Sequence, residues 1–144
     1  SEGLAKNTTL TSLNFGCDRI GVRGAKALGE TLAKNTTLVD LCLGGSEIGD
    51  MELEAISEGL AKNTRLTRLD LTGNDIGDLG ARAISVALVK NTTLTYLSLW
   101  RNEIGDIGAE AICEALTKNS ALVELSVSDN RIRDGGIKKW LRFC

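Results

Sequence analysis

The 144-residue sequence predicts an α/β fold: a right-handed solenoid of about five turns, with a parallel β-sheet on its concave face and α-helices on its convex face. Three observations lead to this prediction. A Lys-Asn pair recurs every 28 residues, apolar residues two apart follow each pair, and an amphipathic helical pattern completes each unit. With 42% hydrophobic residues, the chain has enough apolar side chains for one domain with a buried core.

The strand of each unit follows its Lys-Asn pair. The lysines of the pairs are Lys6, Lys34, Lys62, Lys90 and Lys118. Each is followed by the pattern L-x-x-L-x-L-x-x-N-x-I, in which Leu69 and Leu71 are typical of the second and third leucines. Residues two apart point to the same side of an extended chain, so each unit should contain one short strand with a buried face.

The second half of each unit predicts a helix. Gly80, Ile84, Ala87 and Leu88 lie three and four residues apart and so share one helical face. An aspartate stands where each of four helices should begin, and we expect it to cap the N-terminus of its own helix. These residues are Asp50, Asp78, Asp106 and Asp134.

The asparagine of each Lys-Asn pair predicts the end of a helix, because asparagine tolerates the left-handed backbone conformation that often terminates helices. Asn7, Asn35 and Asn91 also match the N-glycosylation pattern. That alternative explains three of the five copies, whereas the helix-ending role explains all five.

These in-register copies resemble the leucine-rich repeat superfamily, and a 28-residue period with a full helix is similar to its ribonuclease-inhibitor-like class. The resemblance covers nearly the whole chain and implies a horseshoe or arc. It also implies that Asn74, Asn102 and Asn130, which follow the strands, are buried residues whose amides pair with the backbone of adjacent turns. Asp18 and Ser46 take this place in the first two repeats.

The register predicts a single domain over residues 1–144. Residues 1–9 form the end of a truncated repeat helix. Full repeats span 10–37, 38–65, 66–93 and 94–121, and residues 122–144 form the last repeat and a C-terminal cap containing Lys139, Trp140, Leu141 and Phe143. Because the chain starts within a repeat, we expect it to be the C-terminal part of a longer protein, with an N-terminal end open to self-association.

One helix start departs from the pattern. Glu52 and Leu53 replace the Gly-Ala pair that occurs at 80–81 and 108–109. The substitution predicts a local distortion where this helix begins.

No catalytic, cofactor or metal site is expected, and the chain is not predicted to be an enzyme. Histidine is absent, the recurring aspartates are spread one per repeat, and no glycine-rich phosphate-binding motif occurs. The four cysteines, Cys17, Cys42, Cys113 and Cys144, lack zinc or redox spacing. They favour free thiols in a reducing, cytoplasmic compartment, with disulfides as the alternative.

Charge and hydropathy argue against nucleic-acid and membrane partners. Seventeen basic residues against nineteen acidic ones give a net charge of −2, without a long basic run. No apolar stretch approaches the roughly 20 residues needed to cross a bilayer. A protein partner is therefore expected.

The candidate binding site lies on the solvent-facing side of the predicted sheet, where the residues vary from repeat to repeat. Tyr96 and Trp100 are two of the few aromatic residues, and aromatic and arginine side chains dominate interface hot spots. The site comprises Arg68, Asp70, Tyr96, Trp100, Arg101 and Glu124. Alternatively, the two rings only cover one another and Arg68.

The leading interpretation of function is a protein-recognition module that binds through the concave sheet. The families that the chain resembles include cytosolic ribonuclease inhibitor, the sensor segments of NOD-like receptors and actin-capping tropomodulins. Ran GTPase-activating proteins share the repeat type, so a fragment of such a regulator is the alternative, with Arg19, Arg101 and Arg131 in loops after the strands. A designed repeat array is disfavoured because its inner face would repeat too.

Overall fold

The structure is a computed structural model that describes the backbone of residues 2–143 and the side chains of residues 3–138. Helices and strands alternate along it. The helices are α1 (Glu2–Lys6), α2 (Val22–Leu32), α3 (Asp50–Leu60), α4 (Asp78–Lys90), α5 (Asp106–Leu116) and α6 (Asp134–Phe143). The strands are β1 (Ser12–Asn14), β2 (Asp40–Cys42), β3 (Arg68–Asp70), β4 (Tyr96–Ser98) and β5 (Glu124–Ser126). The predicted α/β solenoid is confirmed.

The five strands form one parallel sheet in the order β1-β2-β3-β4-β5. Each residue pairs with the residue 28 positions further along the chain, so Leu41 pairs with Leu69 and Leu69 with Leu97. Parallel strands lie about 4.8 Å apart, whereas packed helices need about 8–10 Å. The helical side is therefore the longer one, which bends the sheet into the concave face.

The core is a stack of equivalent residues. The three central strand leucines, Leu41, Leu69 and Leu97, have no exposed surface, as the 28-residue register requires. Burying one leucine side chain contributes about 1.5–3 kcal/mol, so such a column accounts for much of the stability. The first repeat is less covered: Leu10 and Phe15 are each 36% exposed.

The helix-starting aspartates cap the next helix, so the expectation that each caps its own helix is wrong. The Oδ1 atom of Asp50 accepts the backbone N–H groups of Gly77 and Gly80 at 2.8 Å, both at the start of α4. Asp78 does the same for Gly105 and Gly108 at the start of α5, at 2.8 and 2.7 Å. Asp106 accepts the N–H of Arg133 just before α6. These bonds connect successive repeats.

Helix α3 is capped differently, but its backbone is not distorted. Val22 occupies the position 28 residues before Asp50, so the preceding helix offers no carboxylate there. The side chain of Glu52 instead accepts the N–H of Gly49 at 3.2 Å. Gly49 has φ −97° and ψ −168°, close to the −95° and −168° of Gly105. The predicted distortion is therefore wrong, because Glu52 supplies the missing carboxylate from within its own helix.

The asparagines at the helix ends bridge repeats. Asn63 accepts the N–H of Leu66 at 2.6 Å and donates from Nδ2 to the carbonyl of Leu32 at 2.7 Å. The same two kinds of bond recur at Asn35, Asn91 and Asn119. The left-handed conformation expected here is wrong: Asn91 has φ −79° and ψ 131°. The amides of Asn35 and Asn91 are occupied by these bonds, which closes two of the three glycosylation sequences in the folded chain.

The asparagines after the strands form the buried ladder that the resemblance implies. Asn74 is 6% exposed. Its Nδ2 donates to the carbonyls of Leu43 and Leu71, and its Oδ1 accepts the N–H groups of Ser46 and Ile48. Asn102 and Asn130 make equivalent bonds. This prediction is confirmed.

The C-terminal cap is only partly visible. Helix α6 begins at Asp134 as expected. The side chains of Lys139, Trp140, Leu141 and Phe143, on which the predicted cap depends, lie outside the described residues, as does Cys144. Of the other cysteines, Cys17, Cys42 and Cys113 are free thiols.

Candidate functional site

The solvent-facing side of the sheet carries three columns of residues. Residues 28 apart pair in neighbouring strands, so equivalent side chains stand side by side across the sheet. The columns are Ser12, Asp40, Arg68, Tyr96 and Glu124; Asn14, Cys42, Asp70, Ser98 and Ser126; and Gly16, Gly44, Thr72, Trp100 and Ser128. Large side chains are confined to the third and fourth repeats.

Arg68 connects two neighbouring strands of this face. Its guanidinium carbon lies 3.7 Å from the centre of the Tyr96 ring on β4, a cation–π contact. Its Nε lies 3.7 Å from Oδ1 of Asp40 on β2. Arg68 is exposed, so the ion pair with Asp40 adds little to stability. The two contacts instead hold the flexible arginine in one position on the surface.

Trp100 stands at the edge of the same face and is 43% exposed. Its neighbour Arg101 is exposed and has φ 55°, in the left-handed region. In the second and third repeats this position holds Gly45 and Gly73, both with φ 66°. A side chain costs about 1–2 kcal/mol in that conformation. The chain therefore keeps an arginine beside Trp100 at a position better suited to glycine.

The other two predicted site residues differ in their surroundings. Asp70 is half-buried, and its Oδ1 accepts the N–H of Thr72 at 2.9 Å, so this carboxylate also orders the end of β3. Glu124 is exposed and pairs in the sheet with Tyr96. The six predicted residues thus lie on or directly after the adjacent strands β3, β4 and β5.

Sequence reasoning did not give every residue of this surface its role. It placed Asp40 on the sheet face but left it out of the site, although its position beside Arg68 in the first column is the signal that identifies it. Ser98 was expected to face solvent, yet it is only 3% exposed and its hydroxyl lies 2.8 Å from that of Thr72. This hydroxyl pair fixes the floor of the surface next to Trp100.

The alternative for the two rings is only partly realised. Arg68 does cover Tyr96, as that alternative supposed. Tyr96 and Trp100, however, are four residues apart on an extended chain, a distance of about 13 Å. The indole therefore does not owe its place to the tyrosine.

Groups suited to other chemistry were sought in the described part of the chain. No cluster of three or more His, Cys, Asp or Glu side chains there could hold a metal ion. The described helices are also too short or too polar to cross a membrane. The surface that the fold does assemble is an open one, with two aromatic rings, two arginines and three carboxylates on adjacent repeats.

The repeat architecture and its sheet define the class of protein. A family model described as leucine-rich repeat matches residues 6–29, 62–85, 90–113 and 118–139. The chain therefore belongs to the leucine-rich repeat family, and its 28-residue strand-and-helix units place it in the ribonuclease-inhibitor-like class.

Two solved structures resemble the whole chain. The leiomodin-1 fragment described as actin-binding site 2 superimposes with a TM-score of 0.82 at 26% identity, covering 99% of this chain and 83% of that one. The tropomodulin C-terminal domain of Caenorhabditis elegans gives a TM-score of 0.79 at 14% identity, covering 98% and 86%. The second likeness concerns the fold alone. No curated protein is significantly similar in sequence.

Proposed function

We propose that this chain is a protein-recognition module that binds its partner through the solvent-facing residues of strands β3–β5. The observation that carries the proposal is the pairing of Arg68 with Tyr96 beside the exposed Trp100. An arginine held against a tyrosine has already lost much of its side-chain freedom, so less entropy is lost when a partner binds. The free thiols of the described cysteines fit a cytoplasmic location for this role.

The composition of the face supports recognition rather than catalysis. Tryptophan, tyrosine and arginine are the residue types that contribute most to protein interfaces. Small residues surround Trp100, namely Thr72 in the preceding repeat and Ser128 in the following one. A partner side chain could thus contact the indole face directly.

Actin is the first partner to test. The leiomodin-1 fragment that this chain resembles along nearly its full length is described as an actin-binding site. A basic stripe for nucleic acid is absent from the composition, which leaves a protein as the partner that the surface fits best.

Affinity for actin monomers and filaments, measured by calorimetry and co-sedimentation, tests both parts of the proposal. Trp100→Ala should weaken binding by about 2 kcal/mol, or roughly thirtyfold, if the indole is a hot spot. Arg101→Gly should also weaken it, although this change relieves backbone strain. Val86→Ala serves as the control, because Val86 is 61% exposed on helix α4, away from the sheet.

Two results would contradict the proposal in different ways. Failure of the wild-type chain to bind either form of actin would overturn actin as the partner. Equal affinity of the wild type, Trp100→Ala and Arg101→Gly for a protein that does bind would overturn the surface. Acceleration of GTP hydrolysis by a small GTPase would instead favour the regulator alternative, since a recognition module has no effect on that rate.

A further inference from the structure

A second apolar surface lies on the helical side of the molecule. Met51, Leu79 and Ile107 are 66%, 67% and 63% exposed, among the most exposed large apolar side chains of the described residues. Each is the second residue of its helix, α3, α4 or α5, and each is 28 residues from the next. We call these three residues the outer stripe.

Repetition of the sequence alone does not account for the outer stripe. The residue directly before each member is aspartate in all three helices, because one carboxylate geometry is needed there. The members themselves are a thioether, a γ-branched and a β-branched side chain, which share only their apolar character. The stripe ends where Arg23 and Gly135 take the equivalent position. Contiguous exposed apolar residues of this kind mark interaction sites more often than single ones do.

The surroundings of the outer stripe are mainly acidic. The loops that lead into the three helices carry Glu47, Asp75 and Glu103 at one equivalent position. Arg19 and Arg131 pair with Glu47 and Glu103 at 2.8 and 2.7 Å, at either end of this row. Asp75, in the middle, is exposed.

The helices add further charges one turn after the stripe. Three residues after each member stand Glu54, Arg82 and Glu110, and residues three apart are neighbours on a helix surface. Arg82 is the single basic residue of this row. A partner that covers the stripe therefore meets more negative than positive charge.

The spacing of the stripe matches that of an α-helix. Packed helices lie about 8–10 Å apart, and seven residues of a helix advance about 10.5 Å. A helix lying across α3, α4 and α5 would thus place every seventh residue on one member of the stripe. Three contacts need a helix of at least about 15 residues.

We propose that the outer stripe binds a basic amphipathic helix of a partner protein, with an apolar residue at every seventh position and lysine or arginine beside it. This site is separate from the solvent-facing side of the sheet and is independent of the proposed function. The apolar residues of the partner contact Met51, Leu79 and Ile107, and its basic residues face Asp75 and the neighbouring carboxylates.

The chain offers a direct reporter for this site, because Met51 is its one methionine. Labelling the methionine methyl group with carbon-13 gives a single NMR signal from the stripe. The probe is a synthetic peptide of about 20 residues, long enough for three contacts, with leucine at every seventh position and lysine beside it. A second peptide has glutamate in place of each lysine.

The expected result is a saturable shift of the Met51 signal with the lysine peptide and none with the glutamate peptide. Leu79→Ser with Ile107→Ser should weaken peptide binding by about tenfold or more, because it removes two buried apolar contacts. Both residues are more than 60% exposed, so the variant keeps its fold. Val86→Ser and Trp100→Ala serve as controls and should leave the affinity unchanged.

Three outcomes would overturn the proposal. The Met51 signal could stay unchanged with the lysine peptide, or both peptides could bind equally well. Alternatively, the signal could shift when only the protein concentration is raised, which would make a second copy of the chain the occupant. Because Trp100→Ala tests the sheet face separately, failure here would leave the proposed function standing.

Discussion

At the scale of single residues, the aspartate that begins a helix is a bond between repeats. Its carboxylate accepts two N–H groups of the following helix, and this explains the glycines found there. A Cβ atom added to Gly80 or Gly108 would lie 2.7 Å from the carboxylate oxygen of Asp50 or Asp78. Where the preceding aspartate is replaced by Val22, the glycine is replaced by Glu52. The two positions therefore depend on one another across the repeat boundary.

Asp78→Ala tests this interpretation. The change leaves the N–H groups of Gly105 and Gly108 without their acceptor, so the free energy of unfolding should fall by about 1–2 kcal/mol in urea denaturation. Asp75→Ala is the matched control, since Asp75 is exposed, and it should change stability by no more than about 0.5 kcal/mol. Equal effects of the two substitutions would show that the carboxylate of Asp78 does not cap α5.

At the scale of elements, the repeats do not pack with uniform closeness. Helices α2 and α3 approach most closely at two glycines. A Cβ atom on Gly59 would overlap the backbone carbonyl of Gly29, and one on Gly29 would overlap the carbonyl of Ala55. Backbone atoms cannot move aside as a flexible side chain does. The absence of side chains at these two positions therefore sets the distance between the helices.

Gly59→Ala should for this reason destabilise the chain, although alanine is the better helix former. Overpacking of this kind costs about 1–3 kcal/mol, measured as a lower midpoint of urea unfolding. Gly3→Ala is the control, because a Cβ atom there meets nothing within 4 Å. A Gly59→Ala protein as stable as Gly3→Ala would mean that the two helices do not touch at this point.

Elements were predictable from the sequence to different degrees. The alternation of strand and helix follows from apolar spacing, because Leu69 and Leu71 have one arrangement that buries both. The role of Asn63 was not predictable from local conformational preference. Its amide bonds to Leu32, 31 residues earlier, and local rules do not represent a partner in another turn. The bonding of Asp78 was misjudged for the same reason.

At the scale of the whole molecule, each repeat contacts chiefly its neighbours, and the register fixes which side chains meet. The sequence therefore indicated which face Arg68, Tyr96 and Trp100 would share. It did not indicate that Arg68 lies over the ring of Tyr96, because this depends on the rotamers of long side chains and on the ion pair with Asp40. The stack gives the open sheet one preformed feature near its centre.

The central claim is that the third and fourth repeats of the sheet face form the recognition surface. The most direct test replaces the first-column residue of every strand by alanine, one at a time, and measures affinity for the bound partner together with unfolding. The residues are Ser12, Asp40, Arg68, Tyr96 and Glu124. Losses should peak at Arg68 and Tyr96, at about tenfold or more, with stability changed by less than about 1 kcal/mol. A profile that is flat across the sheet, or that peaks at Ser12, would contradict it.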